Sequence, residues 1–237
     1  MKNQYFGDVR DLFKYDLIQR VLQEITPQRL FLIPMLTEND SSTEGKKRDF
    51  DGAEKASRPG TKNKRLINFL NEKCKVDVDK RDFTEIKTYF ESEDIRGVDI
   101  YKGHEYFNHG RRDEYFGNIP ENSLCNSLVF VDPDIGLQIK KSTKKHLLYQ
   151  EVKALYGRMD KDSILMIYQH FPRTHCEEYL PKGRLNKLEE ETGDLPLCIS
   201  DKEIFFLFLT RNGKVREQLK RVISKYESDY PERITIP

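Results

Sequence analysis

Short, continuous apolar runs recur along this chain, and segments with helical apolar spacing lie between them. A run of four to eight apolar residues is typical of a buried strand, and apolar residues three or four positions apart are typical of an amphipathic helix. The clearest apolar runs are RLFLI, SLVFV, SILMIY and EIFFLFLT. Strands that alternate with helices favour a mostly parallel sheet covered by helices on both faces. We therefore predict an α/β fold with a three-layer, Rossmann-like arrangement.

The end of the chain departs from the parallel pattern. The apolar runs LPLCIS and EIFFLFLT are separated only by Asp201 and Lys202. A parallel crossover needs a dozen or more residues, so we predict that these two strands are antiparallel neighbours. A last amphipathic helix, KVREQLKRVISKYES, follows them.

Other helices are indicated by their spacing and their flanking residues. DVRDLFKYDLIQRVLQEI predicts a helix with Asp8 as its N-cap, and KSTKKHLLYQEVKALYGRM predicts a second. A third is predicted around Pro181, which would end or kink it. His146 and His175 are expected on helix surfaces.

Length and polarity suggest how the chain is organised. A chain of 237 residues suits one large domain. Residues 37–61 form a polar connection rich in Gly, Ser, Asp and Lys. A connection of that length is usually functional or mobile, and a disordered surface insertion is the equal alternative.

Charge and cysteine usage limit the classes of protein. The 41 basic residues nearly balance the 40 acidic ones, for a net charge of +1. Global charge thus favours neither a nucleic-acid nor a membrane partner, and a nucleic-acid interface would need a local patch. The four cysteines form no C-x-x-C pair, and Cys125 and Cys198 are expected to be buried thiols. Because no apolar signal core or membrane-length run is present, we expect a cytoplasmic protein.

Polar side chains follow three of the predicted strands. Ligands of open α/β sheets bind beyond the carboxyl ends of the strands. The corresponding tails are IPMLTEND, VFVDPDIG and IYQHFPR. We expect Met35, Asp132 and Gln169 to converge on one rim of a crevice.

The VFVDPDIG tail supplies the candidate catalytic residues Asp132, Pro133 and Asp134. Proline fixes the backbone where the acids emerge, and a carboxylate held there can accept a hydrogen bond from an amino group. Two carboxylates two residues apart could instead hold Mg²⁺, with Asp40 or Lys14 assisting. A third interpretation is that the acids only form a turn.

The IYQHFPR tail supplies the candidate substrate-binding residues Gln169, His170 and Arg173. A histidine can titrate near neutral pH, and an arginine can pair with phosphate or carboxylate. Packing at a helix start is the equal alternative. The sequence has no histidine or cysteine spacing typical of zinc, and no dinucleotide, P-loop or nucleophile-elbow motif.

The segment HEYFNHGRRDEYFGNIP is aromatic and basic at once. Its aromatics could stack on bases and its arginines could contact phosphates, or the aromatics could simply pack in the core. The residues concerned are Tyr106, Phe107, Tyr115, Phe116, Arg111 and Arg112.

Three stretches of the chain resemble a known family. YFGDVRDLFKYDLIQRVLQEITPQRLFLIPML resembles the opening of the large-subunit ribosomal RNA adenine-N6 methyltransferases. LVFVDPDIGL is similar to the strand and Asp-Pro-Pro-Tyr motif of amino-methyltransferases, with Asp132 and Pro133 matching, and SILMIYQHFPR resembles the strand that follows. The matching residues near the start are Gly7, Asp8, Asp11, Lys14 and Tyr15.

The resemblance implies a single methyltransferase-like domain over residues 1–237 that uses S-adenosylmethionine to methylate an amino group, with nucleic acid as the expected partner. Asp132 would accept a hydrogen bond from the acceptor amine. The donor would be bound by Gly7, Asp8, Lys14, Tyr15, Met35 and Thr37. No metal is implied.

The chain also departs from the family pattern. Asp134 and Ile135 stand where the family has its second proline and its stacking aromatic, and no glycine follows the first strand until Gly45. Two alternatives therefore stay open. One is a Mg²⁺-dependent phosphodiesterase or nuclease that uses Asp132 and Asp134, and the other is a non-catalytic binding module on the same fold.

Overall fold

The centre of the molecule is a six-stranded sheet with strand order β2-β1-β3-β6-β8-β7. The computed structural model describes residues 1–41, 48–172, 176–201 and 203–236. The strands are β1 (Arg29–Ile33), β2 (Val98–Ile100), β3 (Ser127–Val131), β4 (Gly136–Leu137), β5 (His146–Leu147), β6 (Ile164–His170), β7 (Leu197–Ser200) and β8 (Ile204–Leu209). The helices are α1 (Arg10–Ile25), α2 (Phe50–Lys55), α3 (Lys64–Cys74), α4 (Ile86–Ser92), α5 (Arg112–Gly117), α6 (Tyr149–Arg158), α7 (Pro181–Thr192) and α8 (Gly213–Asp229).

Strand direction in this sheet matches the prediction. β1, β2, β3 and β6 are parallel, with Ile33 beside Val131 and Val131 beside Ile167. β8 is antiparallel to both β6 and β7, so the predicted antiparallel pair is confirmed. Because parallel strands end at one edge, the carboxyl ends of β1, β3 and β6 lie side by side.

Alternate residues of each strand pack on opposite faces of the sheet. Leu128 and Phe130 join a core cluster that includes residues of α1, α3, α4 and α8. Val129 and Val131 join a second cluster that includes residues of α5, α6 and α7. The predicted three-layer α/β fold is therefore confirmed.

Helix α1 forms one wall of the site described below. It ends at Thr26, whose left-handed backbone (φ 52°) lets its N–H bond to the Leu22 carbonyl. The predicted N-cap was wrong by one residue, because Val9 takes that position. The Asp8 carboxylate instead accepts a hydrogen bond from the Arg10 N–H at 2.8 Å.

The helix predicted from residue 141 begins later, at Tyr149. His146 and Leu147 form β5, which pairs with β4, and Leu148 is still extended. The Glu151 carboxylate accepts the Leu148 N–H at 2.7 Å and so fixes the helix start. His146 is thus not on a helix surface: it is buried at 4% exposure. His175 lies outside the described residues.

Pro181 begins α7 and does not end or kink a helix. The first helical position needs no N–H partner, so proline fits there.

The polar connection 37–61 contains α2, whose Phe50 and Ala53 pack in the core. Cys198 is buried as expected, but Cys125 is exposed because it lies in the turn before β3. Among the described residues, none of the helices combines the length and the apolar character required to cross a bilayer.

Candidate functional site

Three strand tails meet at the carboxyl edge of the sheet. The Asp132 N–H bonds to the Ile33 carbonyl at 2.9 Å, which ties the tail of β3 to the end of β1. The Met1 amine lies 3.3 Å from the carbonyl oxygens of both Met35 and Asp132. Gln169 lies near the end of β6 at the same edge, and its side-chain oxygen accepts a hydrogen bond from the Leu137 N–H. The structure therefore places Met35, Asp132 and Gln169 at one edge of the sheet, although Asp132 and Gln169 line different cavities and Met35 lines neither of these two.

A cavity of about 460 Å³ opens beyond the ends of β3 and β6. We call it the main cavity. Its apolar lining comes from Ile135, Leu137, Ile139, Phe171 and Pro172. Its polar lining includes Asp134, Lys145, His146, Gln169, His170 and Arg184. A volume of this size lies in the range that holds a small-molecule ligand.

A second cavity of about 40 Å³, the polar pocket, lies between α1 and the tail of β3. Asp8, Asp11, Lys14, Asp132 and Tyr168 are among the residues that line it. It shares Tyr5, Asp134 and His170 with the main cavity. The two cavities thus adjoin, and the Asp-Pro-Asp turn lies between them.

Each acid of that turn faces cations. An oxygen of Asp132 lies 3.0 Å from Lys14 Nζ. The Asp134 carboxylate lies 3.5 Å from Lys145 Nζ and 3.9 Å from both Lys2 Nζ and the Met1 amine. The buried strand therefore delivers two carboxylates into a cluster of amines, which compensates for burying them.

This pairing bears on the Mg²⁺ alternative. A hard divalent ion prefers several free oxygen ligands, whereas Lys2 and Lys145 also contact Asp40, the proposed assisting acid. In the part of the chain that the structure describes, no group of three or more His, Cys, Asp or Glu side chains is placed to hold a metal ion. The metal-dependent alternative therefore finds no support in the described residues.

Lys14 is the centre of the polar pocket. Its Nζ is 3.0 Å from oxygens of both Asp11 and Asp132, and it lies over the rings of Tyr15 and Tyr168 at 5.4 and 5.0 Å. Burial acts to lower the pKa of Lys14, but the two carboxylates outweigh it and hold that pKa well above its ordinary value. Lys14 is therefore a fixed positive charge.

Asp8 is the titratable group of the pocket. Burial raises the pKa of its carboxyl to about 7, and the charge of Asp11 adds to the effect. The Arg10 N–H holds the carboxylate in place. A carboxyl with this pKa can take up or release a proton near neutral pH.

The predicted donor-binding residues divide into two groups. Asp8 and Lys14 line the polar pocket. Met35, Thr37 and Tyr15 are no more than 1% exposed and line neither the main cavity nor the polar pocket. The N–H of Thr37 bonds to the Met1 carbonyl at 2.8 Å, and the cavity beside Tyr15 measures only about 10 Å³.

Gly7 has a structural role in the same region. Its backbone has φ +84°, which glycine adopts without strain, and its N–H bonds to Asp11 at 3.0 Å. The residues Met1–Gln4 and α1 thus fill the space beside β1. The cavity that the described residues form beside Tyr15 is about 10 Å³, too small for a donor of the size of S-adenosylmethionine.

The substrate-binding predictions on β6 fall at the main cavity. Gln169 lines it, but its amide is engaged: Oε1 accepts the Leu137 N–H at 2.6 Å and Nε2 donates to the His170 carbonyl at 2.7 Å. His170 lines both cavities, and its Nε2 is 3.0 Å from the Tyr168 hydroxyl. Arg173 lies outside the described residues.

Arg111 and Arg112 line neither the main cavity nor the polar pocket. Arg111 is exposed and pairs with Glu114. Arg112 is buried and bonds to both carboxylate oxygens of Glu151 at 2.6 Å. Neighbouring acids engage both arginines, and their contact with substrate stays a prediction.

The aromatic residues of that segment mostly pack in the core. Phe107, Tyr115 and Phe116 are at most 7% exposed and contact one another edge to face, with ring centroids 4.9 to 6.1 Å apart. Tyr106 is 54% exposed. Core packing was the correct interpretation for the three buried rings.

Sequence reasoning missed three polar residues of the main cavity. Lys145 and His146 reach it through the β4–β5 pair, and Arg184 reaches it from α7. One signal for Arg184 was available. It lies four residues before the buried Leu188 and therefore occupies the apolar face of its helix.

Comparison with models of known protein families and with curated proteins finds no match to this chain. The resemblance to methyltransferases therefore depends on the short motifs and on the fold.

Proposed function

We propose that this chain is an S-adenosylmethionine-dependent methyltransferase that acts on an amino group. The proposal depends mainly on one observation: the Asp-Pro-Asp turn at the end of β3 separates a nucleoside-sized apolar cavity from a small polar pocket. Methyl transfer asks mainly that donor and acceptor be held in line. Two adjoining cavities of unequal size and polarity suit that requirement.

The main cavity fits the donor. Its apolar walls at Ile135, Leu137 and Phe171 would hold the adenosine portion, and the Asp134 carboxylate would face the positive sulfonium. When bound, S-adenosylmethionine supplies an activated methyl group. This assignment moves the donor away from Met35 and Thr37, which are at most 1% exposed and line neither the main cavity nor the polar pocket.

The polar pocket would receive the acceptor amine. Lys14 fixes the carboxylates of Asp11 and Asp132, so the pocket is ordered before the amine arrives. The amine nitrogen would form its bond to the methyl carbon as the bond from that carbon to the donor sulfur breaks, which leaves a neutral thioether. The methylated nitrogen, now positively charged, would then lose a proton. Asp8, with a pKa of about 7, is the group in the pocket that would take up that proton.

Nucleic acid is the partner class that we propose for the acceptor. Four lysines occur within residues 140–145, next to the mouth of the main cavity. Lys140 and Lys141 are exposed, whereas Lys144 and Lys145 pair with Glu38 and Asp134. A local cluster of exposed lysines supplies phosphate contacts that the balanced overall charge does not.

The test is calorimetric titration of the folded protein with S-adenosylmethionine. We expect binding in the wild type and its loss in Ile135→Trp, because the indole would occupy the main cavity. Val76→Trp is the matched control, since Val76 is 37% exposed and Ile135 is 38% exposed, and it should bind as the wild type does. Absence of binding by well-folded wild-type protein, or equal binding by Ile135→Trp, would contradict the proposal.

The filled space beside β1 favours a second candidate, a non-catalytic module that binds a nucleotide in the main cavity. Met1 is hydrogen-bonded to Met35 and Thr37, and the family resemblance implies that the donor binds at those two residues. In that case adenosine nucleotides would bind, and S-adenosylmethionine would not.

A further inference from the structure

Arg184 is a buried cation that lacks a carboxylate partner in the described part of the chain. It is 1% exposed and lines the main cavity. Its Nη1 donates to the Gln138 carbonyl and the Tyr149 hydroxyl, and its Nη2 donates to the Leu137 carbonyl. Its Nε is buried without a hydrogen-bond partner. Burying a charge is costly unless an opposite charge compensates for it.

Two other buried arginines, Arg112 and Arg81, have more complete sets of partners than Arg184. Arg112 is compensated by both oxygens of Glu151. Arg81 is 4% exposed and bonds only to carbonyls, but Nε, Nη1 and Nη2 each have one, from Val76, Gln4 and Cys74. Arg184 has neither a carboxylate nor a full set of acceptors.

His146 adds a donor to the same end of the cavity. Its Nδ1 accepts the Thr143 N–H at 3.2 Å, so the neutral ring carries its proton on Nε2. Nε2 has no partner among the described residues. Burial lowers the pKa of His146, and the nearby charge of Arg184 lowers it further. The imidazole is therefore a neutral N–H donor at pH 7, close to the guanidinium.

Two acids of the described residues whose charges act at this end are Asp134 and Glu178, and Glu178 is exposed to solvent. Asp134 lines the cavity, but Lys2, Lys145 and the Met1 amine already surround its carboxylate. The buried end of the cavity therefore carries excess positive charge.

We propose that the Arg184 and His146 end of the main cavity binds an anionic group, a carboxylate or a phosphate, of a nucleoside-sized ligand. This anion subsite does not require that methyl transfer occurs. A methyl donor would bring its carboxylate, and a nucleotide would bring its phosphate. Either anion would compensate Arg184 and accept the His146 Nε2–H.

Paired ligands test the proposal and separate the two sources. AMP is compared with adenosine, and S-adenosylhomocysteine is compared with 5′-deoxy-5′-methylthioadenosine, which lacks the amino-acid end. A charge-assisted contact predicts that the member of one pair that carries the phosphate or the carboxylate binds about tenfold tighter or more. Preference in the first pair identifies phosphate, and preference in the second identifies carboxylate. Absence of both preferences overturns the proposal.

Arg184→Gln should abolish that preference, while His146→Gln should weaken it. The matched control is Arg81→Gln, which also removes a buried guanidinium held by carbonyls but lies outside the main cavity. It should keep the preference. A folded Arg184→Gln protein that keeps the preference contradicts the proposal.

A measurement on wild-type protein remains if Arg184→Gln does not fold. Binding of the preferred anion should raise the pKa of His146, followed by NMR of its ring protons, because the anion opposes the charge of Arg184. The uncharged member of the pair should leave that pKa unchanged. An unchanged His146 pKa with the anion bound would place the anion elsewhere and refute the assignment.

Discussion

Replacing Lys14 with methionine tests the electrostatic core of the site. The substitution keeps most of the aliphatic stem but removes the Nζ that lies 3.0 Å from both Asp11 and Asp132. Removing one partner of a buried ion pair costs about 3–5 kcal/mol, because a buried charge is left without compensation. The hydrogen bond from the Gly7 N–H to Asp11 remains in the variant, so we expect the lower end of that range, about 3 kcal/mol at pH 7. Stability of 5–15 kcal/mol is ordinary for a domain, and the variant should remain folded.

The loss should depend on pH in a defined direction. Burial already raises the pKa of Asp11, and Lys14 opposes that rise. Without Lys14 the folded-state pKa of Asp11 rises further above its unfolded value of about 4. A folded state that holds extra protons loses stability as pH rises through that window. The difference from wild type should therefore be small at pH 4 and largest near pH 7.

The assay is urea unfolding of both proteins at pH 4, 5.5 and 7. With a urea slope of about 1–3 kcal/mol/M, a loss of about 3 kcal/mol lowers the midpoint by about 1 M or more. Lys64→Met is the control, because Lys64 forms an exposed pair with Glu54 and should lose less than about 1 kcal/mol. A Lys14→Met loss below about 1 kcal/mol, or one independent of pH, would refute the account of the polar pocket.

Two further predictions concern Gly136 and Asp8. Gly136→Ala should destabilise the fold by about 1–3 kcal/mol in urea unfolding, because its Cβ would lie 2.3 Å from the Gln169 amide at φ +141°. Gly157→Ala, on a helix with open space around it, should instead gain up to about 1 kcal/mol, and the same sign for both would contradict this reasoning. The pKa of Asp8 is about 7 in the fold and about 3.9 when unfolded, so its contribution destabilises the protein as pH rises from about 4 to about 7. Asp8→Asn should flatten that part of the stability profile, and an unchanged slope would show that Asp8 does not titrate there.

The layers of the fold were predictable because local patterns specify them. Continuous apolar runs such as SLVFV are buried on both sides in the centre of a sheet, and the two residues between LPLCIS and EIFFLFLT permit only a tight antiparallel connection. The same rule placed Asp132 and Gln169 at one edge, because parallel strands share their carboxyl ends. Helix boundaries were less predictable. The lysine-rich start of KSTKKHLLYQEV does not reveal that His146 pairs with Gly136.

The partners of the site were not predictable from local patterns. Whether an acid at a strand end is free or compensated depends on residues far away in the sequence, and Asp132 is separated from Lys14 by 118 positions. We predicted that the methyl donor binds beside β1, at the tail IPMLTEND, yet the N-terminal residues occupy that space. Arg112 was assigned to substrate because two arginines adjoin aromatics, whereas Glu151, on another helix, compensates it.

The buried cations of this chain are the reason that we propose the main cavity, and not the space beside β1, as the ligand-binding site. Lys14 and Arg112 each have carboxylate partners, so their charges stabilise the fold without any ligand. Arg184 lies at the wall of a cavity large enough for a nucleoside, and its charge has no such partner among the described residues. The hydrogen bonds of Arg184 and the rings of Tyr149 and Tyr179 offset only part of that charge, and an anion in the cavity would supply the missing negative charge. The binding experiments on Arg184 therefore distinguish a ligand-binding site from a cavity that only results from imperfect packing.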